Sequence, residues 1–267
     1  MLDAAVHAYL RSVAGARAHR AGPFVIRFDE HDDALPFNYA VPDDHSAPTA
    51  DEVAALVAVF RERARTPRLE YLPQAAPKVE DALLEAGFTA EGRYPVLVCS
   101  PGEAVDAPVD TVVLDLPTDA TVRVAPVDTA VRVALVTDDA DLWHVARVMS
   151  ETFEAPEANE HDVARLRRVL NGGGLVAAAV DTTTGDVVGA GQIGSPHQGV
   201  AEVAGIAVRP SHRRRGIAGA VTALLTRAGM DAGITTPFLT PADDGAARVY
   251  ARVGYRKVGE ALHISLR

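Results

Sequence analysis

The chain has 267 residues, of which 48% are hydrophobic, with a formal net charge of −10 and a single cysteine, Cys99. This length allows one large domain or two of ordinary size, and one cysteine excludes an intrachain disulfide and a zinc site built on thiolates. The negative charge argues against nucleic acid as a partner, and no apolar stretch is long enough to span a bilayer. The first 20 residues, with Asp3 near the start, predict an amphipathic helix rather than a signal peptide, so we expect a cytoplasmic protein without a membrane partner.

The first half of the chain predicts short strands that alternate with helices. Thr49 is followed three residues later by Glu52, a capping-box pattern which predicts that a helix begins at Ala50. Cys99 lies in an apolar run and is expected to pack as a small core residue. The predicted elements are strands at residues 24–28, 38–41, 68–72 and 93–99 and helices at residues 1–20, 50–65 and 77–87.

Residues 100–120 carry three prolines and several acids around one apolar run, and they predict a linker. We therefore place one domain at residues 1–117 and a second at residues 118–267. The second half again predicts strands and helices in alternation, with a β-hairpin in the middle. Its predicted elements are strands at residues 121–127, 131–136, 175–180, 187–194, 202–208, 237–240 and 256–265 and helices at residues 140–153, 161–171, 216–230 and 244–253.

One turn in the second half carries a recognisable chemistry. The strand at residues 202–208 must stop at Pro210, which cannot continue a ladder of hydrogen bonds. Three arginines and Gly216 follow, and they open a helix rich in alanine and leucine. A strand, a basic glycine turn and a helix together present backbone N–H groups and a positive helix end, which is an arrangement that binds anions.

This turn resembles the acyl-CoA site of the GCN5-related N-acetyltransferases, the GNAT family. The family signature (Gln/Arg)-x-x-Gly-x-(Gly/Ala) is matched by Arg213, Gly216 and Ala218, and the preceding Val-x-Pro by Val208 and Pro210. The order of elements in residues 120–267 is also that of the family, whereas the glycine motifs of Rossmann and P-loop proteins are absent from the sequence. The resemblance implies an α/β (α+β) fold with a mixed, mostly antiparallel sheet flanked by helices.

The resemblance also implies a co-substrate, acetyl-CoA or another acyl-CoA, and no metal. Backbone N–H groups of residues 214–219 would hold the pyrophosphate, the pantetheine arm would pair with the strand as an extra strand, and an N–H near Ile206 would polarise the thioester. The residues that the resemblance assigns to acyl-CoA are Ile206, Ala207, Val208, Arg213, Arg214, Arg215, Gly216, Ile217, Ala218, Gly219 and Asp243.

A second family pattern, Asn-x-x-Ala-x-x-x-Tyr-x-x-x-Gly-Phe, is matched by Asp243, Ala246, Tyr250, Gly254 and Tyr255. It implies that Tyr250 protonates the leaving thiolate, while a core tyrosine on an amphipathic helix is the alternative. Asp243 stands where the family has asparagine, which could weaken a hydrogen bond to the pantetheine arm. Tyr255 stands in place of phenylalanine, and we expect this change to be harmless.

Glu202 lies eleven residues before Arg213, the position of the base glutamate in histone-acetylating members of the family. The alternative is a strand glutamate that faces solvent or pairs with an arginine. Strict alternation would put Glu202 on one strand face with Ala204 and Ile206. His144 and His161 are weaker candidates that would border the acceptor site, and His212 is expected to face solvent.

The two halves share an order of elements: helix, strand, helix, a glycine followed by an aromatic residue, and strand. Residues 82–88 align with residues 249–255. This predicts that the first half resembles a degenerate GNAT unit, and a chance match of two common patterns is the alternative. Asp43 and Asp44 precede its helix and would repel a pyrophosphate, so we expect no cofactor there and a role in packing and in shaping the acceptor entrance.

The sequence therefore predicts an enzyme that moves an acetyl or other acyl group from acyl-CoA to a primary amine of a small molecule or peptide. The net negative charge favours a cationic acceptor, and a homodimer stays open. A non-catalytic acyl-CoA-binding or regulatory module is the main alternative, and a scaffold without a ligand is a third. Tandem members of the family with one working unit include mycothiol synthase, which gives a narrower hypothesis about the reaction.

Overall fold

The computed structural model describes residues 2–100, 102 and 130–267. The helices in these residues are α1 (Leu2–Ser12), α2 (Ala50–Glu62), α3 (Val79–Glu85), α4 (Asp139–Thr152), α5 (Glu160–Asn171), α6 (Ile217–Asp231) and α7 (Asp244–Val253). The strands are β1 (His19–Ala21), β2 (Phe24–Arg27), β3 (Tyr39–Pro42), β4 (Arg68–Tyr71), β5 (Thr89–Val98), β6 (Val131–Leu135), β7 (Leu175–Asp181), β8 (Val187–Ile193), β9 (Val200–Val208), β10 (Thr236–Leu239) and β11 (Arg256–Ser265). The predicted strand at 121–127 and the predicted border at 117/118 lie outside the described residues.

The N-terminal helix is shorter than the sequence predicts. α1 ends at Ser12, and β1 pairs with β2 in a hairpin whose last pair is Ala21 with Phe24. Gly22 adopts a φ of 53° in the two-residue loop between them. A glycine in this left-handed region permits a tight hairpin that other residues adopt less readily, and the hairpin takes up residues that continue the helix in the prediction.

The chain forms two compact units. The first unit combines Met1–Val96 with Lys257–Arg267, and the second unit is Leu97–Arg256. In the first unit the strands lie in the order β1-β2-β3-β4-β11-β5, with β3 and β4 parallel. The last strand of the chain, β11, thus belongs to the sheet of the first unit, where Leu262 pairs with Tyr71 of β4.

In the second unit the order is β10-β9-β8-β7-β6, and the end of β5 adds Leu97 and Val98 beside β10. β9 and β10 are parallel, and the pairs from β9 to β6 are antiparallel. α4 and α5 bury an apolar core on one sheet face, to which Ala190 and Ala207 belong, and α6 covers the other face. This is the mixed, mostly antiparallel sheet flanked by helices that the sequence predicts. In the described part of the chain, no helix is both long enough and apolar enough to cross a membrane.

Each unit contains two parallel strands joined through a helix, β3-α2-β4 in the first and β9-α6-β10 in the second. A further helix follows in both and ends at a glycine with positive φ, 88° at Gly87 and 109° at Gly254. The next residue is a buried aromatic, and the N–H of Phe88 donates to Leu83 O at 3.0 Å as that of Tyr255 donates to Tyr250 O at 3.1 Å. The two units thus repeat one local design.

The N-terminus of α2 is closed by its own side chains. Thr49 Oγ1 accepts a hydrogen bond from the N–H of Glu52 at 3.3 Å, and Glu52 Oε2 accepts one from the N–H of Thr49 at 2.8 Å. This confirms the predicted capping box. Two of the donors that a helix start leaves unpaired are therefore already satisfied in the first unit.

A polar cluster around the buried His7 fixes α1 beside the loop that leads into α2. Arg11 donates from Nη1 and Nη2 to the two carboxylate oxygens of Asp44 at 2.7 and 3.0 Å, and His7 Nδ1 lies 2.6 Å from the same carboxylate. The Arg11 guanidinium lowers the pKa of Asp44 to about 2, while burial lowers the pKa of His7. The negative charge of Asp44 is thus balanced by Arg11 within the first unit.

We expect acid to weaken this contact. Because folding lowers the pKa of Asp44 from 3.8 to about 2, its ion pair stabilises the fold above about pH 4 and is lost as the pH falls toward 2. In Asp44→Asn, the free energy of unfolding should depend less on pH between about 4 and 2 than in the wild type. Urea unfolding followed by circular dichroism measures this, with exposed Asp33→Asn as the control. Identical pH profiles for wild type and Asp44→Asn would contradict the prediction.

Candidate active site

Strand β9 contains a bulge that the sequence pattern did not predict. Against β8, Ala207 pairs with Ala190 and Ala204 pairs with Gln192, so β9 has one more residue than β8 over the same stretch. Gly205, inside the bulge, has a φ of 63°, and a Cβ atom there would stand 2.9 Å from Met149 Cε. Glycine is favoured at this position because a residue with a Cβ would meet both the cost of the left-handed backbone and the close approach of Met149.

The bulge reverses the side-chain alternation along β9. Ile206 Cδ1 lies 2.6 Å from the point where a Cβ on Gly191 would stand, and Val221 and Leu225 of α6 lie within 3.1 Å of the same point. Ile206 therefore points toward α6, and the residue after it, Ala207, belongs to the core under α4 and α5.

Glu202 lies on the face opposite to Ile206. Ala204 pairs with Gln192, and paired residues lie on the same face of a sheet. Gln192 is two residues from Ala190, so its side chain lies on the same face as that of Ala190, the face covered by α4 and α5. Glu202, two residues before Ala204, is on that same face and is half-buried. Strict alternation would place Glu202 and Ile206 on one face, but the bulge adds a residue between them and places them on opposite faces.

One edge of β9 is only partly covered. β10 pairs with β9 through three residues, the last of which joins Phe238 to Glu202, and Leu239 then pairs with Leu97 of β5. Among the described residues, no strand pairs with the β10-side edge of residues 203–208. This opening lies beside the bulge, and it offers main-chain hydrogen bonds to an extended ligand. The side chains of Ala207 and Val208 are buried, so only their backbone could serve such a ligand.

Residues 209–216, the clamp loop, connect β9 to α6. Pro210–His212 form a 3₁₀ turn, and Arg214 and Gly216 have φ values of 62° and 80°. The first helical hydrogen bond of α6 runs from Ala220 N–H to Gly216 O at 3.0 Å. The N–H groups of Ile217, Ala218 and Gly219 precede that bond, so none of them has a partner within the helix.

The start of α6 differs from the start of α2. In the part of the chain that the structure describes, no side chain caps α6, and its first turn contains no acidic residue. Ile217 is buried and holds the helix start in the fold, while Arg213 and Arg214 are exposed beside it. Arg213 donates from Nε to Val208 O at 3.3 Å, and Arg215 is half-buried. The loop therefore combines positive charge with backbone donors at a helix start that no side chain within the described ranges caps.

His212 does not face solvent, contrary to the sequence-based expectation. Its Nε2 lies 3.2 Å from Oδ2 of Asp181, at the end of β7, and its Nδ1 lies 2.9 Å from Oγ of Ser211. The N–H of Thr183 and the contact with His212 lower the pKa of Asp181 to about 2. The contact could not be predicted from the sequence, because two residues 31 positions apart leave no local pattern.

Tyr250 lies half-buried on α7, the helix that packs against α6. Val249 Cγ1 is 3.6 Å from the point where a Cβ on Gly219 would stand, so α7 meets the first turn of α6. Burial raises the pKa of Tyr250, and the nearby Asp243 carboxylate raises it further. The hydroxyl therefore stays protonated at neutral pH and can donate a proton.

Tyr255 and Asp243, the two departures from the family pattern, both have defined partners. Tyr255 Oη makes a buried hydrogen bond with Thr226 Oγ1 at 2.7 Å, which links the end of α7 to α6. Asp243 caps α7, since its Oδ1 accepts a hydrogen bond from the N–H of Ala246 at 2.7 Å. One oxygen of Asp243 is thus already engaged, and its contact with a pantetheine arm stays a prediction.

The remaining histidine candidates gain no support from their positions. His144 is exposed on α4, and the His161 side chain is 42% exposed at the start of α5, 4.0 Å from Glu160. The residues that the structure does bring together are those of the clamp loop, the first turn of α6 and α7 with Tyr250. Glu202 lies on β9, three residues before the bulge.

In the second unit, a bulged strand beside a partly open strand pair is followed by an uncapped helix start. Residues 141–255 match the model of the acetyltransferase (GNAT) family. This part of the chain is a GNAT domain, as the signature around Arg213 and Gly216 predicts. A comparison with curated proteins found no significant match.

Solved structures show the same fold over nearly the whole chain. A GCN5-related N-acetyltransferase from Kribbella flavida has a TM-score of 0.75 at 23% identity, over 99% of this chain and 95% of its own. One from Sphaerobacter thermophilus has a TM-score of 0.60 at 14% identity, over 86% of this chain and 71% of its own. A tandem GNAT protein from the clavulanic acid biosynthesis pathway has a TM-score of 0.61 at 12% identity, over 96% and 87% of the two chains. These similarities extend through the first unit.

Replacing Gly205 should destabilise the second unit. In Gly205→Ala, the left-handed backbone should cost about 1–2 kcal/mol, and the flexible Met149 methyl must also move aside. In Gly219→Ala, where the added methyl meets Val249 at an ordinary 3.6 Å, the better helix former should add about 0.5–1 kcal/mol of stability. The fluorescence of Trp143, the single tryptophan, reports urea unfolding of this unit. Equal stability of Gly205→Ala and wild type would contradict the preference for glycine.

Proposed function

We propose that the protein is an N-acetyltransferase that moves an acetyl or other acyl group from acyl-CoA to a primary amine. The GNAT domain at residues 141–255 supports the general reaction. The clamp loop would receive the pyrophosphate, with the N–H groups of Ile217, Ala218 and Gly219 and the arginines of the loop as its donors. The partly open edge of β9 would receive the pantetheine arm.

One observation carries this proposal: the contrast between the two helix starts. α2 has a capping box and acidic residues in its first turn, whereas α6 begins after Gly216 with neither. A helix start with unpaired N–H groups favours an anion, and adjacent arginines strengthen that preference. We infer that the second unit binds acyl-CoA and that the first unit does not. This keeps the accessory role predicted for residues 1–117 and the catalytic role predicted for residues 118–267, except that residues 257–267 belong to the first unit.

Two side chains would supply the proton transfers. The amine nitrogen attacks the thioester carbon, the carbon–sulfur bond breaks, and the amine loses one proton while the thiolate gains one. Glu202 is the candidate base, directly or through water, because it is the carboxylate on the strand that carries the bulge. Tyr250 is the candidate acid, because it lies on the helix that meets the first turn of α6 and its hydroxyl is protonated at neutral pH. Tyr250 favours an enzyme over a module that only binds acyl-CoA.

For the acceptor we propose a chemical class, a primary amine that carries a further positive charge. The net charge of −10 attracts cations over a distance, so a primary amine with a further positive charge fits the protein better than an anionic one. A panel of amines should include the acceptor of mycothiol synthases, which tests that narrower hypothesis. Acetyl-CoA, which cytoplasmic enzymes use, is the donor for the experiments below.

The first experiment measures acetyl-CoA binding by calorimetry at low and high salt. We expect Arg214→Gln to weaken binding and Arg214→Glu to weaken it more, each step by about three- to tenfold at low salt, with smaller losses at high salt. Arg168→Glu, on the exposed side of α5, is the control, because it makes the same charge change outside the clamp loop, α6 and β7. Failure of the wild type to bind acetyl-CoA would refute the proposed function.

The second experiment tests the acid. Tyr250→Phe should lower kcat by roughly a hundredfold or more and leave the Kd for acetyl-CoA within about twofold, because the hydroxyl acts on the leaving thiolate. Tyr255→Phe is the matched control, since it removes the hydroxyl of a neighbouring tyrosine that is bound to Thr226. Thiol release with the most reactive amine gives kcat, and calorimetry gives the Kd. An unchanged kcat in Tyr250→Phe would exclude Tyr250 as the acid.

A further inference from the structure

The clamp loop is joined to the rest of the second unit by His212. Most of the loop is open to solvent: Pro210, Ser211, Arg213, Arg214 and Gly216 are exposed. The His212 side chain is only 19% exposed, and it contacts Asp181, whose side chain is 11% exposed. A partly buried polar contact in an exposed loop fixes the position of that loop, because both partners would lose it if the loop moved.

One tautomer of the His212 ring satisfies both of its neighbours. With the proton on Nε2, the ring donates to Asp181 Oδ2 at 3.2 Å, and Nδ1 accepts from the Ser211 hydroxyl at 2.9 Å. The N–H of Thr183 donates to Oδ1 of Asp181 at 2.8 Å, so the carboxylate is itself held in place by the turn after β7. The series from that turn through Asp181 to His212 is therefore a defined link between β7 and the loop.

The loop needs such a link because its backbone is strained. Arg214 has a side chain and yet adopts a φ of 62°, and Gly216 follows with a φ of 80°. Residues in these conformations persist only where the surrounding structure holds them. Arg209 donates to Glu151 at 2.9 Å and fixes the start of the loop to α4, while His212 fixes its middle to β7. Arg214, Gly216 and the start of α6 come directly after His212 in the chain.

We propose that His212 and Asp181 form a positioning pair, which holds the clamp loop in the shape that receives the pyrophosphate of acyl-CoA. This proposal rests on the proposed function. It predicts that the pair affects the binding of the phosphate end of the donor and not the binding of its thioester end. His212 is not a catalytic residue in this scheme, because it acts through the loop backbone.

Two donors separate this role from a general structural one. With acetyl-CoA, His212→Ala should raise KM and the Kd by about tenfold and leave kcat unchanged, since a hydrogen bond to a charged group is lost. With S-acetylpantetheine, which lacks the pyrophosphate, wild type and His212→Ala should have the same kcat/KM. His212→Gln, whose amide can donate to Asp181, should recover part of the affinity for acetyl-CoA.

Asp181→Asn should act through the same pair. Its effect on the Kd should be smaller than that of His212→Ala, and the double variant should bind no more weakly than His212→Ala alone. Asp186→Asn is the matched control, because this exposed aspartate lies in the same turn and should leave the Kd unchanged. Hydrogen exchange without ligand should show faster exchange in residues 209–219 of His212→Ala, with β8 unchanged.

The possible failures are distinct. Normal acetyl-CoA binding and normal exchange in His212→Ala would overturn the positioning pair and leave the proposed function intact. An equal loss with acetyl-CoA and S-acetylpantetheine would also overturn it, because the defect would then not belong to the phosphate end. If the wild type binds no acetyl-CoA, the proposed function and the positioning pair fail together.

Discussion

Every α-helix begins with N–H groups that have no partner inside the helix, and each unit of this protein meets that constraint differently. In the first unit Thr49 and Glu52 satisfy two of these donors from within, and the helix start is closed. In the second unit α6 is left open after Gly216, with arginines beside it. The two units share one order of elements, but the start of α2 is capped and only stabilises the fold, whereas the start of α6 can bind an anion.

Because no side chain of the described residues caps the start of α6, the loop before it must be held by other contacts. The backbone before it passes twice through the left-handed region, at Arg214 and Gly216, and such conformations cost about 1–3 kcal/mol for residues other than glycine. Contacts to α4 and β7 hold the loop, and the buried Ile217 anchors the first helical residue. The bulge at Gly205 is a second departure from regular geometry within the same strand–loop–helix unit. From the start of β9 to the end of α6, the residues with positive φ are Gly205, Arg214 and Gly216, and they lie where a ligand is expected.

Most of the elements could be predicted from the sequence, because apolar spacing, caps and turn residues are local signals. The strand β9, the helix α6 and the capping box at Thr49 each follow from a few adjacent residues. The bulge could not be predicted, since a glycine inside an apolar strand does not reveal its φ, and strict alternation then placed Glu202 and Ile206 on one face. The contact of His212 with Asp181 was also hidden, because it depends on how β7 and the loop come together in space.

The assignment of β11 to the first unit has a consequence for synthesis. Residues 257–267 are synthesised after the whole second unit, yet β11 lies between β4 and β5 in the sheet of the first unit. β4 and β5 therefore stay without their shared neighbour while the second unit is being made. The second unit is one continuous stretch and has no such delay. During translation, the edges of β4 and β5 are thus exposed to wrong strand pairing until β11 has been added.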